Sequence, residues 1–322
     1  MSGPSFKLTE ELTPEGVRRI LLVNTATEEY ISIIPEFGGT VSAIVLGRSG
    51  RLYSVLDGYR ERKDFLEDDR YRGVHLIPFA SRIENGQYSF RGRRFKLPLN
   101  DPAFRGAIHG FFRAEPLNLE EVAINEENIT ARFTAAYGGT VMGYPFPFEA
   151  ALTFGLGRTD GFTCTVEIRN TGTGAMPLCI GWHPYFRLDG PVDTLRLELP
   201  VREQITLDRH MAPDGTRTDA GELSRGVPMS GMHFDGIYPL ALTGVGRAVA
   251  KLTDTASLAC LNLWQETGPQ KFNYIVVYTP PDRRSVAIEP LTSNVDAFNN
   301  GEGLIVLEPG SVFSGSYGCY LT

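Results

Sequence analysis

Five short stretches of this chain set titratable side chains beside apolar, strand-like runs. In residues 76–86 (Leu-Ile-Pro-Phe-Ala-Ser-Arg-Ile-Glu-Asn-Gly), Arg82 lies between a proline bend and an Asn-Gly turn. There a guanidinium can be held rigidly toward ligand oxygens, or it can simply pair with Glu84 or another carboxylate. In Ile108-His109-Gly110-Phe111-Phe112-Arg113, His109 adjoins a glycine that lets other groups come close; a lone histidine also serves plain packing. Residues 176–186, read as a strand, put Leu178, Ile180 and Trp182 on one face and Cys179, Gly181 and His183 on the other. His183 then has small neighbours that leave room for a ligand, and Pro184 favours an extended backbone before it. Tyr185 and Phe186 either wall a site or pack. In Val286-Ala287-Ile288-Glu289 the same alternation sets Glu289 beside an alanine, while Asp235, alone between aromatics in 234–238, reads most simply as a turn residue. Two histidines, an arginine and two carboxylates suit general acid–base chemistry on a neutral polyol. Histidine titrates near neutrality and a partly buried glutamate can accept a proton.

The elements that must carry these residues are strands. Residues 162–170 alternate apolar and polar side chains, and Leu195-Arg196-Leu197-Glu198-Leu199 repeats the pattern. Strand-like runs recur at 30–34, 40–46, 129–137, 148–156, 257–264, 274–279, 286–289 and 316–321. Segments 87–90 and 95–97 flank Arg91-Gly92-Arg93-Arg94 as a hairpin. Only short helices are expected, near 59–66 and 13–18. Strands without alternating helices exclude doubly wound and barrel α/β folds and favour a large antiparallel β-sandwich. The 35 glycines and 21 prolines among 322 residues are spread as turn punctuation. With no linker, repeat or composition shift, residues 1–322 are expected to form a single domain.

The charge balance, 31 basic against 38 acidic side chains for a net −7, lacks the basic footprint of a nucleic-acid binder. No apolar run approaches the roughly 20 residues of a membrane span. The polar start Met1-Ser2-Gly3-Pro4-Ser5 shows no secretory leader, so a soluble cytoplasmic protein is expected. Cys164, Cys179, Cys260 and Cys319 have no metal-ligand spacing and read as structural thiols. There is no P-loop, dinucleotide-binding glycine fingerprint or zincin helix, so nucleotide and metal chemistry have no support in the sequence. Trp182 and Trp264 end apolar runs and are expected in the core. His75, His210 and His233 carry no assigned role.

Taken in order, Pro78-Phe79-Ala80-Ser81-Arg82-Ile83 with Gly86-Gln87-Tyr88, His109-Gly110-Phe111, His183-Pro184-Tyr185-Phe186, Asp235 and Ile288-Glu289-Pro290 resemble the aldose 1-epimerase (galactose mutarotase) family from about Tyr30 to the C-terminus. The resemblance implies a β-sandwich of the galactose-mutarotase type that interconverts the α and β anomers of a free aldose, without a cofactor. It implies Glu289 as the base at the anomeric hydroxyl, His183 as the acid at the ring oxygen, and Arg82, His109 and Asp235 as sugar-binding residues. Departures are Ser81, where the family often has asparagine, Glu289-Pro290-Leu291 in place of Glu-x-Gln, and the Asp235-Gly236-Ile237-Tyr238 loop. They leave the aldose open. Two other readings share the fold: a carbohydrate-binding or sugar-sensing protein without turnover, and a hexose-6-phosphate 1-epimerase. A glycoside hydrolase using Glu289 and Asp235 is a third alternative. The sequence does not set an oligomeric state.

Overall fold

A computed structural model describes residues 5–59, 61–67, 70–242 and 244–322. Its strands form three large antiparallel sheets. The first has five strands in chain order: Phe6–Leu12, Arg18–Asn24, Tyr30–Ile34, Thr40–Arg48 and Arg51–Ser54. The second has nine, running from Asn118–Ile124 through Asn128–Tyr137, Phe148–Gly157 and Gly161–Asn170 to the C-terminal Val312–Leu321. It continues through Cys260–Thr267, Gly246–Asp254 and Leu195–Glu198 to Val227–Pro228. The third carries Pro213–Asp219, Glu203–Leu207, Asp235–Pro239, Tyr274–Tyr278, Val286–Leu291, Gly181–His183 and Val74–Leu76 in that order, with Tyr185–Phe186 also paired to Val286–Leu291. The architecture is a large antiparallel β-sandwich, as the strand pattern predicts.

Period-two burial explains how the sheets meet. Along Gly161–Asn170 the side chains of Phe162, Cys164, Val166 and Ile168 are buried while Thr163, Thr165 and Glu167 are half-buried on the opposite face. The inner faces join in one apolar cluster that draws Ile20, Ile31 and Ile44 from the first sheet, Phe133, Phe162 and Tyr317 from the second, and Trp182, Val286 and Ile288 from the third. Trp182 stacks on Tyr317 at 5.1 Å between ring centroids, with the planes 13° apart, and meets Phe162 at 5.2 Å. Trp264 is also buried, under the Arg247 guanidinium. Cys164, Cys179 and Cys319 are buried free thiols and Cys260 is half-buried. Burial pushes the Cys164 and Cys179 thiols up to about 12, which makes them inert packing groups.

Helix is confined to short pieces. The expected helix near 59–66 is present as Arg62–Glu67, with Arg60 outside the described residues. The one expected at 13–18 is instead the turn of the first hairpin. Thr13 and Val17 close it through backbone and hydroxyl hydrogen bonds, and Gly16 takes a left-handed φ of 78°. In the hairpin at 87–96 the loop tightens to Arg91-Gly92, with φ of 48° and 75°, as a two-residue connection with positive φ requires. The stretch 176–186 is not one strand but three, Met176–Leu178, Gly181–His183 and Tyr185–Phe186. The first break falls at Cys179 and Ile180, whose N–H groups donate to the Pro78 carbonyl and the Thr292 hydroxyl, and at the second Pro184 lacks the N–H that a continuous ladder needs. Met1 to Pro4 lie outside the described residues, and no described helix is long and apolar enough to cross a membrane.

Candidate active site

The third sheet has two different faces, and cross-strand register assigns residues to them. Directly opposed residues of an antiparallel pair share a face. Asp235 opposes Tyr278, Tyr278 opposes Ala287, and Ala287 opposes Tyr185, which makes one row across four strands. The next row is Ile237, Val276 and Glu289. On the adjoining strands His183 opposes Val74. Ile275, Val277, Val286, Ile288 and Trp182 point the other way, into the main core. The residues on the first face therefore line a cavity on the side of the sheet turned away from the sandwich interior.

That cavity has a volume of about 520 Å³, within the range of small-molecule sites, and Arg82, His109, His183, Asp235 and Glu289 all line it. Four of the five stretches thus reach it from positions dispersed through 76–183 and from the strand at 286–291, and the fifth reaches it from the strand at 235–239. Asp235 is not in a loop: it opens the strand Asp235–Pro239, at the exposed rim of the cavity. Tyr185 lines the cavity, whereas Phe186 packs in the core, so the two aromatics after Pro184 divide the roles considered for them.

His183 and Glu289 form the centre. His183 Nε2 is 3.3 Å from Glu289 Oε1, and the side chains are only 8% and 3% exposed. The His183 ring stacks on Tyr185 at 5.1 Å and meets the His109 ring edge-on at 5.1 Å. Burial, reinforced by the nearby Asp235 charge, raises the Glu289 carboxyl well above its ordinary range, while Arg82 pulls it back. Asp235 is also raised, chiefly by partial desolvation, with Arg82 and His233 opposing. Burial drives His109 well below its ordinary value, and the cationic groups of His183, Arg82 and Arg113 push the same way. His109 is accordingly a neutral imidazole near pH 7, able to donate or accept a hydrogen bond. Its Nδ1 is buried with no protein partner, and its ring lies 4.7 Å from Tyr71.

Backbone geometry holds the arginine and the first histidine together. Ser81 and His109 both take left-handed φ, 58° and 61°, and the His109 N–H donates to the Ser81 carbonyl at 3.0 Å. Asparagine adopts that conformation more readily than serine, which gives the departure at position 81 a physical meaning. The following residues pair as Arg82–Glu84 against Gly106–Ile108. Gly110 is required: a Cβ there would sit 2.1 Å from the Ile77 carbonyl oxygen, which accepts from the Phe111 and Phe112 N–H groups. Gly181, in contrast, does not open space for a ligand. A Cβ there would meet Leu291 at 2.3 Å and Ala80 at 3.1 Å, so its missing side chain serves packing beneath the site. Arg82 pairs with Asp101 and not with Glu84.

Asn100, Asp101, Phe104, Tyr71 and Tyr278 also line the cavity and were not singled out from the sequence. Tyr278 follows Val276 at the two-residue spacing of one strand face, a signal present in the sequence. Asn100-Asp101-Pro102 has turn composition, which marks a loop but not its place beside Arg82. Among the described residues no group of three His, Cys, Asp or Glu side chains is arranged to hold a metal ion.

Comparison with known proteins gives this geometry a family. The chain is 27% identical over 244 residues to the uncharacterized protein YihR of Escherichia coli K12, covering 74% of this chain and 75% of that one. It is 26% identical over 230 residues to the galactose mutarotase of Sus scrofa and 27% identical over 212 residues to that of Homo sapiens, covering 71% and 65% of this chain. The matches span 64% and 58% of those two mutarotases, less than two thirds of their length. In structure it superposes on a galactose mutarotase-like protein of Clostridium acetobutylicum with a TM-score of 0.85 at 20% identity, over 99% of both chains. It superposes on galactose 1-epimerase of Lactobacillus acidophilus with 0.79 at 15% identity, over 98% of both, and these likenesses show a shared fold. The sequence model of the aldose 1-epimerase family matches residues 21–319, and the chain belongs to that family.

Proposed function

We propose that this protein is a mutarotase that interconverts the α and β anomers of a free, neutral aldose, with Glu289 as base and His183 as acid. The observation that carries the reading is the 3.3 Å approach of His183 Nε2 to Glu289 Oε1 at the wall of a sugar-sized cavity. The anomeric hydroxyl and the ring oxygen are bonded to the same carbon, so an acid and a base serving them must converge this closely. Ionised Glu289 takes the anomeric hydroxyl proton and the C1 to ring-oxygen bond breaks to give an aldehyde. Protonated His183 delivers its proton to the departing ring oxygen. Rotation about C1–C2 presents the other carbonyl face, and the same two transfers in reverse close the ring, leaving both side chains as they began. Assistance of this kind contributes about 10²–10⁴-fold, with positioning adding to it.

Arg82, His109 and Asp235 hold the sugar in this scheme, and no step calls for a cofactor. A neutral substrate fits the charges around the cavity. Arg82 is paired with Asp101, Arg70 with Asp282, and Asp235 and Glu289 add negative charge, which disfavours a phosphorylated sugar. The continuous apolar cluster from Phe6 to Cys319 supports residues 1–322 acting as one unit, and the free cysteines suit a reducing compartment such as the cytoplasm. Pure α-anomers of a panel of hexoses and pentoses, followed by polarimetry or NMR exchange, test the reading. It predicts that at least one equilibrates faster with protein than without. Saturable sugar binding with no acceleration would instead indicate a binding protein.

A further inference from the structure

Arg82 is held on two sides by a loop that lies outside the family motifs. Its Nε–H donates to Asp101 Oδ2 at 2.6 Å, in a pair whose side chains are 22% and 11% exposed. Its guanidinium carbon Cζ lies over the Phe104 ring, 4.7 Å from the centroid. No other described group takes its terminal nitrogens. The loop is itself registered to Arg82. Asp101 and Gly106 exchange backbone hydrogen bonds at 3.1 Å, Asn100 clamps both backbone groups of Ile108 at 2.7 and 3.0 Å, and Ile108 opposes Arg82 across the short sheet. Asp101, Phe104 and Arg82 are therefore tied together through this loop.

We infer that Asp101 is a positioning residue for Arg82. Its carboxylate occupies the Nε–H edge while the Phe104 ring packs against the guanidinium carbon, so the two terminal nitrogens are left to face the cavity and the substrate oxygens. A guanidinium anchored through Nε keeps a planar two-nitrogen fork for bidentate recognition, which a freely rotating arginine offers only at an entropic cost. The charge of Arg82 acts on Glu289, Asp235 and His109 alike, which agrees with its free end lying among them. As regards the sugar, the inference rests on the mutarotase reading. The anchoring itself is independent of it.

The experiment therefore has two arms. In the ligand-free arm, the Arg82 Nε–H resonance is followed by nitrogen-15 NMR. It should be sharp and slow to exchange in the wild type, be lost in Asp101→Ala, and return in part in Asp101→Asn, which keeps an acceptor. An Asp101→Ala spectrum like that of the wild type overturns the inference. In the sugar arm, KM for the best aldose should rise about 10–100-fold in Asp101→Ala, with kcat changed far less and KM partly recovered in Asp101→Asn. The double variant Asp101→Ala with Arg82→Ala should be no worse than Arg82→Ala alone, because Asp101 acts only through that side chain. An unchanged KM, or additive losses in the double variant, rejects the role. If the wild type accelerates no aldose, the proposed reaction fails and the resonance arm still decides the anchoring.

Discussion

His75 and His183 sit on adjacent paired strands, one residue out of step, and face opposite sides of the same sheet. His75 opposes Trp182, and His183 opposes Val74. Both are buried, at 1% and 6% exposure. On the core side, His75 Nδ1 shares a 2.6 Å hydrogen bond with the Tyr317 hydroxyl, and its ring lies among Phe154, Trp182 and Tyr317. Burial lowers it to about 3, with only a backbone contact at Gly39 opposing. On the cavity side, His183 has a carboxylate at 3.3 Å and a second imidazole edge-on. Burial alone therefore does not make a histidine a candidate acid. A partner able to exchange a proton and an open space beside both are what distinguish His183.

The largest effects should fall on the cavity side. Glu289→Gln keeps the shape but removes the base, and should slow anomer exchange by about 10²–10⁴-fold, with His183→Asn similar. His75→Phe should leave kcat within a few-fold and instead lower stability by about 1–3 kcal/mol, because the buried Tyr317 hydroxyl loses its imidazole partner and keeps only the weak Cys164 thiol. NMR exchange kinetics and thermal unfolding of the three variants check this. If folded His75→Phe lost activity as heavily as His183→Asn, the division between the two faces would be wrong. The next effect is on pH dependence. Glu289 works as a base only when ionised, so the acid limb of kcat/KM should lie above the ordinary carboxylate value of 4.5. Asp235→Asn removes a like charge that raises Glu289, and should move that limb to lower pH. A limb that stays in place would show that burial acts without help from Asp235.

The sequence made the cavity side more legible than the sheet edges. Strands with one buried face, such as Gly161–Asn170 and Leu195–Glu198, carry alternation that can be read directly. Pro213–Asp219 and Asn118–Ile124 lie at sheet edges and are exposed nearly throughout, so their side chains record no buried face and neither was expected as a strand. The residues brought to the cavity were nameable because alternation fixes which way Glu289 and His183 point, and because the family motifs include Arg82, His109 and Asp235. Asp101 and Phe104 were not. Their importance depends on a loop folding back onto Arg82, a tertiary contact that leaves no period in the chain. The interrupted stretch at 176–186 shows the converse: alternation placed Gly181, Trp182 and His183 on their proper faces even though the strand is broken on both sides of them.

The smallest effect is the most specific to this comparison, because the two faces bias stability in opposite directions with pH. Glu289 has a folded pKa above its unfolded value, so from about 4.5 upward the folded state holds more protons than the unfolded one. Its contribution to stability is present below that pH and is lost as pH rises through the folded value. His75 has a folded value of about 3 against 6.5 when unfolded. Between these values the unfolded state binds more protons, so stability rises with pH there and its loss on acidification is the depressed-pKa case. Above about pH 4.5 and below 6.5 the two slopes oppose, each at most about 1.4 kcal/mol per pH unit. Glu289→Gln should therefore be more stable than the wild type at neutral pH by about 0.5–2 kcal/mol and show a steeper rise in stability across that window. His75→Phe should show the shallower or falling trend. Denaturant midpoints measured at half-unit steps from pH 4.5 to 7 resolve the difference. Parallel curves for the two variants would mean that neither buried group titrates differently in the folded and unfolded chains, and the electrostatic contrast between the faces would collapse.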